Sequence, residues 1–312
     1  MTRKLLPGKP FLQLAAFILL LPALSVLAQN EKPAGASQPL VKINVIVTDR
    51  ADRSVEDVRK EDLQVLEDGA VQTISELARD ERPVTCGFVI DASGSVRRIL
   101  PELIDSAKLA VAGLRDGDEG FVAQFVDQTK FQIRQDLTRD REAIVDALDD
   151  IYVEGGQTAV YDAIEKSLQY LEDNQSGDAN SRRPILVLVT DGEDRSKTKD
   201  SKTILARVRQ SNVQIFVLAL TKFSSLQSSA RKAVGFLTDL AEQSGGRAFF
   251  PETPAGLPNA AREIARELHT QFVVGYAPGK TSMAERRIQV KWMGRSDPGN
   301  RKVITRPVVT VK

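Results

Sequence analysis

The stretch Cys86-Gly87-Phe88-Val89-Ile90-Asp91-Ala92-Ser93-Gly94-Ser95 joins an apolar run to three oxygen-bearing side chains. Such an apolar run is typical of a strand whose two faces are both covered, as in a parallel sheet. Asp91, Ser93 and Ser95 then place a carboxylate and two hydroxyls where that strand ends. These oxygens suit Mg²⁺, Mn²⁺ or Ca²⁺ better than a soft metal ion. The stretch therefore predicts a buried strand that ends at a candidate cation site.

Strand-like and helix-like segments alternate along the chain after this stretch. Residues 185–189 and 213–220 are apolar runs typical of buried strands, whereas residues 96–114 carry apolar side chains at helical spacing. The alternation predicts an α/β fold, a doubly wound and mostly parallel sheet with helices on both faces. In such sheets, ligands bind beyond the carboxyl ends of the strands, where the strand order reverses.

Both ends of the chain have β character instead. Residues 41–48 alternate as a half-buried strand does, and Asp68-Gly69 stands between the β-like runs 63–67 and 71–77, which is a strong hairpin signal. Residues 271–312 return to β-like patterns. Because neither end has enough apolar area for a core of its own, we expect the two to pack together as one small all-β subdomain.

The expected organisation follows from these patterns. It comprises a signal peptide at residues 1–28, a linker at 29–39, an N-terminal β segment at 40–82, the α/β domain at 83–269 and a C-terminal β segment at 270–312.

Residues 1–28 have the features of an export signal. Arg3, Lys4 and Lys9 precede or border an apolar run, and Val26-Leu27-Ala28 fits a cleavage site. We expect a periplasmic or secreted protein, with an uncleaved N-terminal membrane anchor as the alternative. Pro22 within the apolar run disfavours that anchor, and no later segment is apolar enough to span a membrane.

Composition excludes some classes of function. The chain of 312 residues has 43 basic and 42 acidic side chains, which is not the basic footprint of a nucleic-acid-binding protein. Cys86 is the one cysteine, so no internal disulfide framework exists, and we expect a buried, inert thiol.

Two further loops are expected at the same edge of the sheet as Asp91. Gly155-Gly156-Gln157-Thr158 precedes a predicted helix, and Thr190-Asp191-Gly192-Glu193-Asp194 follows the most apolar strand. Taken singly, Thr158 could be a helix N-cap and Asp191 a cap or a turn residue. Glu193 and Asp194 are expected to be solvated loop charges.

Together these residues resemble the metal-ion-dependent adhesion site of the von Willebrand factor type A domain. That pattern is Asp-x-Ser-x-Ser, then a Thr, then an Asp at a later strand end, and here it matches Asp91, Ser93, Ser95, Thr158 and Asp191. Five matches in three loops are more specific than a lone Asp-x-Ser-x-Ser. The resemblance covers roughly residues 83–269.

The whole chain also resembles a bacterial group of exported proteins related to this domain. In that group an "EDG" hairpin precedes the domain and a "GY" strand follows it, matching Glu67-Asp68-Gly69 and Gly275-Tyr276 here. The roles of the group are mostly undefined, so this second resemblance implies architecture rather than function.

The resemblance to the type A domain implies an exported binding module that holds Mg²⁺ or Mn²⁺. Ser93, Ser95 and Thr158 would be direct ligands, while Asp91 and Asp191 would act more often through water. An open coordination position would then take an Asp or Glu carboxylate of a protein partner.

Enzyme chemistry is not expected. The one histidine, His269, is expected at the end of the last helix, beside its dipole, and no nucleophile elbow or phosphate loop is present. Metal-assisted phosphate hydrolysis is the best enzymatic alternative, although it usually needs more carboxylates or a base. A third possibility is a purely structural domain that binds no metal.

Overall fold

The apolar run that precedes Asp91 forms a strand at the centre of a six-stranded sheet in the computed structural model. The structure describes residue 2 and residues 40–174, 181–192, 194–195, 200–220, 228–279, 285–294 and 301–310. The chain divides into two units, Met1–Gln38 and Pro39–Lys312. All strands and helices of the described residues belong to the second unit, and the predicted signal peptide and linker lie outside the described residues.

The described part of the chain contains fourteen strands and six α-helices. The strands are β1 (Val41–Thr48), β2 (Leu63–Glu67), β3 (Ala70–Gln72), β4 (Ile74–Arg79), β5 (Val84–Asp91), β6 (Glu119–Phe125), β7 (Phe131–Thr138), β8 (Arg183–Thr190), β9 (Gln214–Ala219), β10 (Ala248–Phe249), β11 (Phe272–Tyr276), β12 (Glu285–Trp292), β13 (Lys302–Thr305) and β14 (Val308–Thr310). The helices are α1 (Leu100–Val111), α2 (Arg141–Asp149), α3 (Val160–Asn174), α4 (Ser201–Gln210), α5 (Ser228–Ser244) and α6 (Leu257–Glu267).

The central sheet has the order β10-β9-β8-β5-β6-β7. Its strands are parallel except for β7, which pairs antiparallel to β6 at one edge. Apolar side chains of α1, α2 and α6 cover one face, and those of α3, α4 and α5 cover the other. The predicted doubly wound α/β fold is therefore confirmed. The strand order reverses at β5, because β6 lies on one side of it and β8 on the other.

The two chain ends build a pair of four-stranded antiparallel sheets. One has the order β13-β1-β11-β4 and the other β14-β12-β2-β3, so each sheet combines strands from both ends. Alternate side chains of β1, such as Ile43 and Val45, pack in the core between these sheets. On the opposite face of β1, Ile46 packs with Ile304 in the core beneath α1 and α6. The predicted packing of both ends as one β unit is confirmed, whereas the exact boundaries of the domains stay predictions.

The Asp68-Gly69 hairpin forms between β2 and β3. Both turn residues have positive φ, 49° for Asp68 and 85° for Gly69, which is the backbone that a two-residue hairpin turn requires. The second arm differs from the prediction of one strand over residues 71–77. It breaks at Thr73, so that β3 stays in one sheet and β4 crosses to the other.

A buried polar contact joins the two sheets. The Tyr276 hydroxyl donates to Glu67 Oε2 at 2.6 Å, and Arg286 donates to Glu67 Oε1 at 2.5 Å. All three side chains are buried. The "EDG" and "GY" motifs of the sequence are thus in direct contact through Glu67 and Tyr276.

The predicted helix at residues 96–114 begins later than expected. A 3-10 turn at Gly94–Arg98 comes first, and α1 starts at Leu100. Pro101 lies in the first turn of α1, where backbone N–H groups have no partner within the helix, so the missing N–H of proline costs no hydrogen bond. None of the helices among the described residues has the length and apolar character needed to cross a membrane.

Candidate metal centre

Three loops at the carboxyl edge of the central sheet carry the five residues singled out in the sequence. Asp91 is the last residue of β5, and Ser93 and Ser95 lie in the turn that follows it. Thr158 lies just before α3, and Asp191 comes directly after β8. Because β5 and β8 are parallel neighbours, their carboxyl ends meet at the point where the strand order reverses.

The three hydroxyls form a continuous chain of hydrogen bonds. Thr158 Oγ1 donates to Ser93 Oγ at 2.8 Å, and Ser93 Oγ lies 2.9 Å from Ser95 Oγ. Ser93 and Thr158 are buried, whereas Ser95 is exposed. The chain therefore leads from the interior of the protein to its surface. The Thr158 hydroxyl bonds to Ser93 across the site, which is not the helix N-cap considered in the sequence.

Asp91 is a fully buried carboxylate with two hydrogen-bond donors. The Ser93 amide donates to Oδ1 at 2.9 Å, and the Thr190 hydroxyl donates to Oδ2 at 2.6 Å. Burial and the negative charge of Asp191 nevertheless raise the pKa of Asp91 to about 6, against the lowering effect of these hydrogen bonds. The two carboxylates thus repel each other, and a divalent cation held at this edge of the sheet would offset that repulsion.

These residues fit a hard divalent cation. The described residues contain no group of three or more His, Cys, Asp or Glu side chains that could hold a metal ion. A metal at this edge would consequently depend on the hydroxyls of Ser93, Ser95 and Thr158 together with the two carboxylates. Such an all-oxygen set suits Mg²⁺ or Mn²⁺.

The loop that carries Thr158 is fixed against β5 and β6 by its backbone. The Glu154 amide donates to Ala92 O at 3.1 Å, and the Ala159 amide donates to Val126 O at 2.9 Å. Between these anchors, Gly156 has φ of 123°, and a Cβ there would lie 2.7 Å from Val126 Cγ1. Glycine is therefore needed at this position for the loop to pass close to the end of β6.

Sequence reasoning missed two supporting residues. Thr190 holds Asp91, and its own hydroxyl accepts the Gly192 amide at 3.0 Å. Asp194 was expected to be a solvated loop charge, and that expectation is wrong. Its half-buried carboxylate accepts the Tyr161 amide at 2.9 Å in the first turn of α3, where it satisfies an otherwise unpaired helix N–H. Glu193 lies outside the described residues.

His269 lies at the amino edge of the central sheet, opposite the carboxyl edge that carries the candidate centre. It follows α6, as expected, but its ring is buried and Nε2 lies 2.8 Å from Asp118 Oδ2. Burial would raise the pKa of Asp118, yet hydrogen bonds from His269 and from the Arg115 and Val84 amides lower it below its ordinary value. Because Val84 begins β5 and Asp91 ends it, this pair is about 20 Å from the candidate centre.

Cys86 is buried within β5. Burial raises the pKa of its thiol far above the ordinary range, which makes it unreactive.

Comparison with known sequences identifies one family. The profile of the von Willebrand factor type A domain matches residues 87–275, which is more than half of the chain. No curated protein matches the chain significantly.

Comparison with solved structures shows similar folds at low sequence identity. The von Willebrand factor type A structure from Catenulispora acidiphila is 15% identical with a TM-score of 0.50, over 88% of this chain and 75% of that one. Proximal thread matrix protein 1 from the mussel byssus is 18% identical with a TM-score of 0.50, over 63% of this chain and 48% of that one. This chain thus matches about half the length of the mussel protein. An aerotolerance-related membrane protein from Bacteroides fragilis is 16% identical with a TM-score of 0.46, over 59% and 98% of the two chains.

Proposed function

Because the chain belongs to the von Willebrand factor type A domain family, whose members often mediate protein interactions, we propose that it is an exported, metal-dependent binding module that recognises an acidic group of a protein partner. One observation carries the proposal. Three hydrogen-bonded hydroxyls and two carboxylates lie together where the strand order of the sheet reverses, and Ser95 exposes this group at the surface.

Each residue has a separate task in this proposal. Ser93, Ser95 and Thr158 bind the metal directly through their hydroxyl oxygens. Asp91 and Asp191 act through water and orient the hydroxyls, a task for which Asp91 is already fixed by the Ser93 amide and the Thr190 hydroxyl. When bound, Mg²⁺ or Mn²⁺ would supply an open coordination position for a partner carboxylate.

Binding rather than catalysis is part of the proposal. A serine nucleophile needs a general base within hydrogen-bond reach. His269 is engaged with Asp118 at the opposite edge of the sheet, and the hydroxyls of Ser93 and Ser95 contact each other. Export to the periplasm or the medium is equally part of the proposal, and it is based on the signal-like residues 1–28.

Calorimetric titration and thermal unfolding with Mg²⁺ test the metal site. We expect Mg²⁺ to stabilise the wild type by about 2.7 kcal/mol at a hundredfold excess over its dissociation constant. Asp91→Ala and Thr158→Ala should lose this stabilisation. Asp173→Ala is the matched control, because this exposed carboxylate on α3 lies outside the site. A wild type that gains no stability from Mg²⁺ or Mn²⁺ would refute the metal site.

A second experiment tests the use of the site. Protein ligands captured by the wild type in Mg²⁺ should be released by a chelator and should not bind Asp91→Ala. Ligands retained in the chelator would contradict a metal-bridged contact, and turnover of a model phosphate ester would favour the hydrolase alternative.

A further inference from the structure

Two exposed arginines lie shortly after Ser95, one of the candidate metal ligands. Arg97 and Arg98 lie in the 3-10 turn Gly94–Arg98, two and three residues after Ser95. Val96 is buried beneath them and fixes the turn in the core. Within the described part of the chain, neither arginine has an ion pair or a hydrogen bond. Both guanidinium groups are therefore available to an anionic partner at the surface around Ser95.

A large exposed aromatic side chain lies in the loop that leads to Thr158. Tyr152 is 56% exposed, although its backbone is held by Gln124 Nε2, which donates to Tyr152 O at 3.3 Å. The Arg134 guanidinium lies 5.9 Å from the centre of the Tyr152 ring and donates to Asp150 O at 3.2 Å. The ring is consequently exposed but supported, as aromatic anchors of binding surfaces often are.

The net charge of the candidate centre determines how strongly positive side chains around it affect the binding of an acidic partner. The carboxylates of Asp91 and Asp191 formally balance the two positive charges of a divalent cation. The centre as a whole then exerts little long-range attraction on an acidic partner, even though the open coordination position binds a carboxylate at contact distance. Positive side chains beside the centre, as Arg97 and Arg98 are, would supply a positive potential, speed the encounter and select for negative charge.

We propose that Arg97, Arg98 and Tyr152 form a recognition surface for a protein segment that carries several acidic residues and a neighbouring apolar one. The inference rests on the proposed function, because one acidic residue of the segment would occupy the metal position. A second acidic residue pairs with Arg97 or Arg98, and the apolar residue packs on the Tyr152 ring. The surface thus distinguishes an acidic stretch of sequence from an isolated carboxylate.

Selection of a displayed random peptide library against the full chain in Mg²⁺ tests this surface. We expect the enriched peptides to contain at least two acidic residues and an apolar one. The double variant Arg97→Ala/Arg98→Ala should bind these peptides about tenfold more weakly, and Tyr152→Ser should weaken them by a similar factor. Both effects should leave the Mg²⁺ requirement unchanged, and the arginine effect should shrink at high salt.

Arg139→Ala/Arg141→Ala is the matched control. This variant also removes two positive charges, but they lie after β7 and at the start of α2, at the opposite edge of the sheet. It should bind the peptides as the wild type does. Peptides with a single acidic residue, or equal binding by the wild type and the Arg97/Arg98 double variant, would overturn the recognition surface. Enriched peptides that need Arg97 and Arg98 but bind equally in EDTA would leave the surface in place and overturn the metal-dependent function instead.

Discussion

Asp91 combines two requirements that oppose each other. A carboxylate at the end of a fully buried strand is costly for the metal-free protein, as its raised pKa of about 6 indicates. The same burial keeps the carboxylate rigid and close to Asp191, which is the arrangement that a divalent cation would stabilise. Stability is commonly lower at binding sites for this reason.

Replacing Asp91 by Asn should therefore stabilise the metal-free protein. The folded-state pKa of Asp91 lies above its unfolded value of about 3.9, so the ionised carboxylate destabilises the fold increasingly as the pH rises from about 4 to about 6. In EDTA at pH 7, Asp91→Asn should raise the free energy of unfolding by about 3 kcal/mol, and the gain should become small near pH 4. Urea unfolding at several pH values measures it.

The control for this experiment is the Mg²⁺ response. Asp91→Asn should be more stable than the wild type in EDTA yet gain nothing from Mg²⁺. A variant that is less stable than the wild type in EDTA at pH 7 would show that the charge of Asp91 supports the fold by itself.

Gly156 tests whether the path of the Thr158 loop matters for the site. A Cβ at Gly156 would lie 2.7 Å from Val126 Cγ1, and its φ of 123° is unfavourable for other residues. Gly156→Ala should lower the free energy of unfolding by about 2 kcal/mol and weaken Mg²⁺ binding, because Thr158 shifts. Gly155→Ala is the matched control. Its φ is 76° with open space around it, so it should cost about 1 kcal/mol. Equal Mg²⁺ affinities of both variants would contradict the prediction.

Residue order alone was enough to predict where the five candidate side chains lie, because parallel strands place their carboxyl ends at one edge. The roles of Thr190 and Asp194 could not be predicted in this way. Thr190 holds Asp91 from 99 positions away, and Asp194 caps a helix 33 positions before it. Such roles depend on which side chain faces which, and spacing in one sequence does not determine that.

Hydrophobic pattern predicted the inner strands of the central sheet well, because both faces of β5, β6, β8 and β9 are buried, whereas the edge strands β7 and β10 are only partly buried. The β3–β4 segment was harder to predict. Residues 71–77 are a continuous β-like run, but the chain changes sheets at Thr73, and Val71 is left exposed in the edge strand β3. A pattern of period two cannot distinguish one long strand from two strands in different sheets.

The contact between β2 and β11 should contribute strongly to stability. Glu67→Gln removes the buried negative charge that pairs with Arg286, and breaking a buried ion pair in this way should lower the free energy of unfolding by about 3 to 5 kcal/mol. Tyr276→Phe removes one buried hydrogen bond and should cost about 1 to 2 kcal/mol. Urea unfolding of both variants measures these effects.

Glu76→Gln is the matched control for Glu67→Gln. Glu76 forms an exposed ion pair with Lys42, with 41% and 59% of the two side chains accessible, so its loss should cost less than about 0.5 kcal/mol. Similar effects of the two Glu-to-Gln changes would show that the buried contact is not special.

The joining of the two chain ends was predictable because neither end could bury its apolar side chains alone. The polar contacts between the β unit and the central sheet could not be predicted from the sequence. Asp80 accepts from Asn44 Nδ2 at 2.6 Å and lies 3.4 Å from Arg183 Nε, so it connects β1, the end of β4 and the start of β8. Burial opposes the charge of Asp80, but these partners and Arg82 lower its pKa.

Removal of residues 271–312 tests how far the N-terminal strands depend on the C-terminal ones. β1 pairs with β11 on one side and β13 on the other, and β2 pairs with β12. The truncated chain would leave β1 without any neighbouring strand, so limited proteolysis should cut within residues 40–82 much faster than in the full chain. A chain that ends at Pro307 is the control, because it loses only the edge strand β14 and should resist protease nearly as well as the full chain. Unchanged resistance of the longer truncation would mean that the N-terminal strands fold against the α/β domain by themselves, through the face of β1 that carries Ile46.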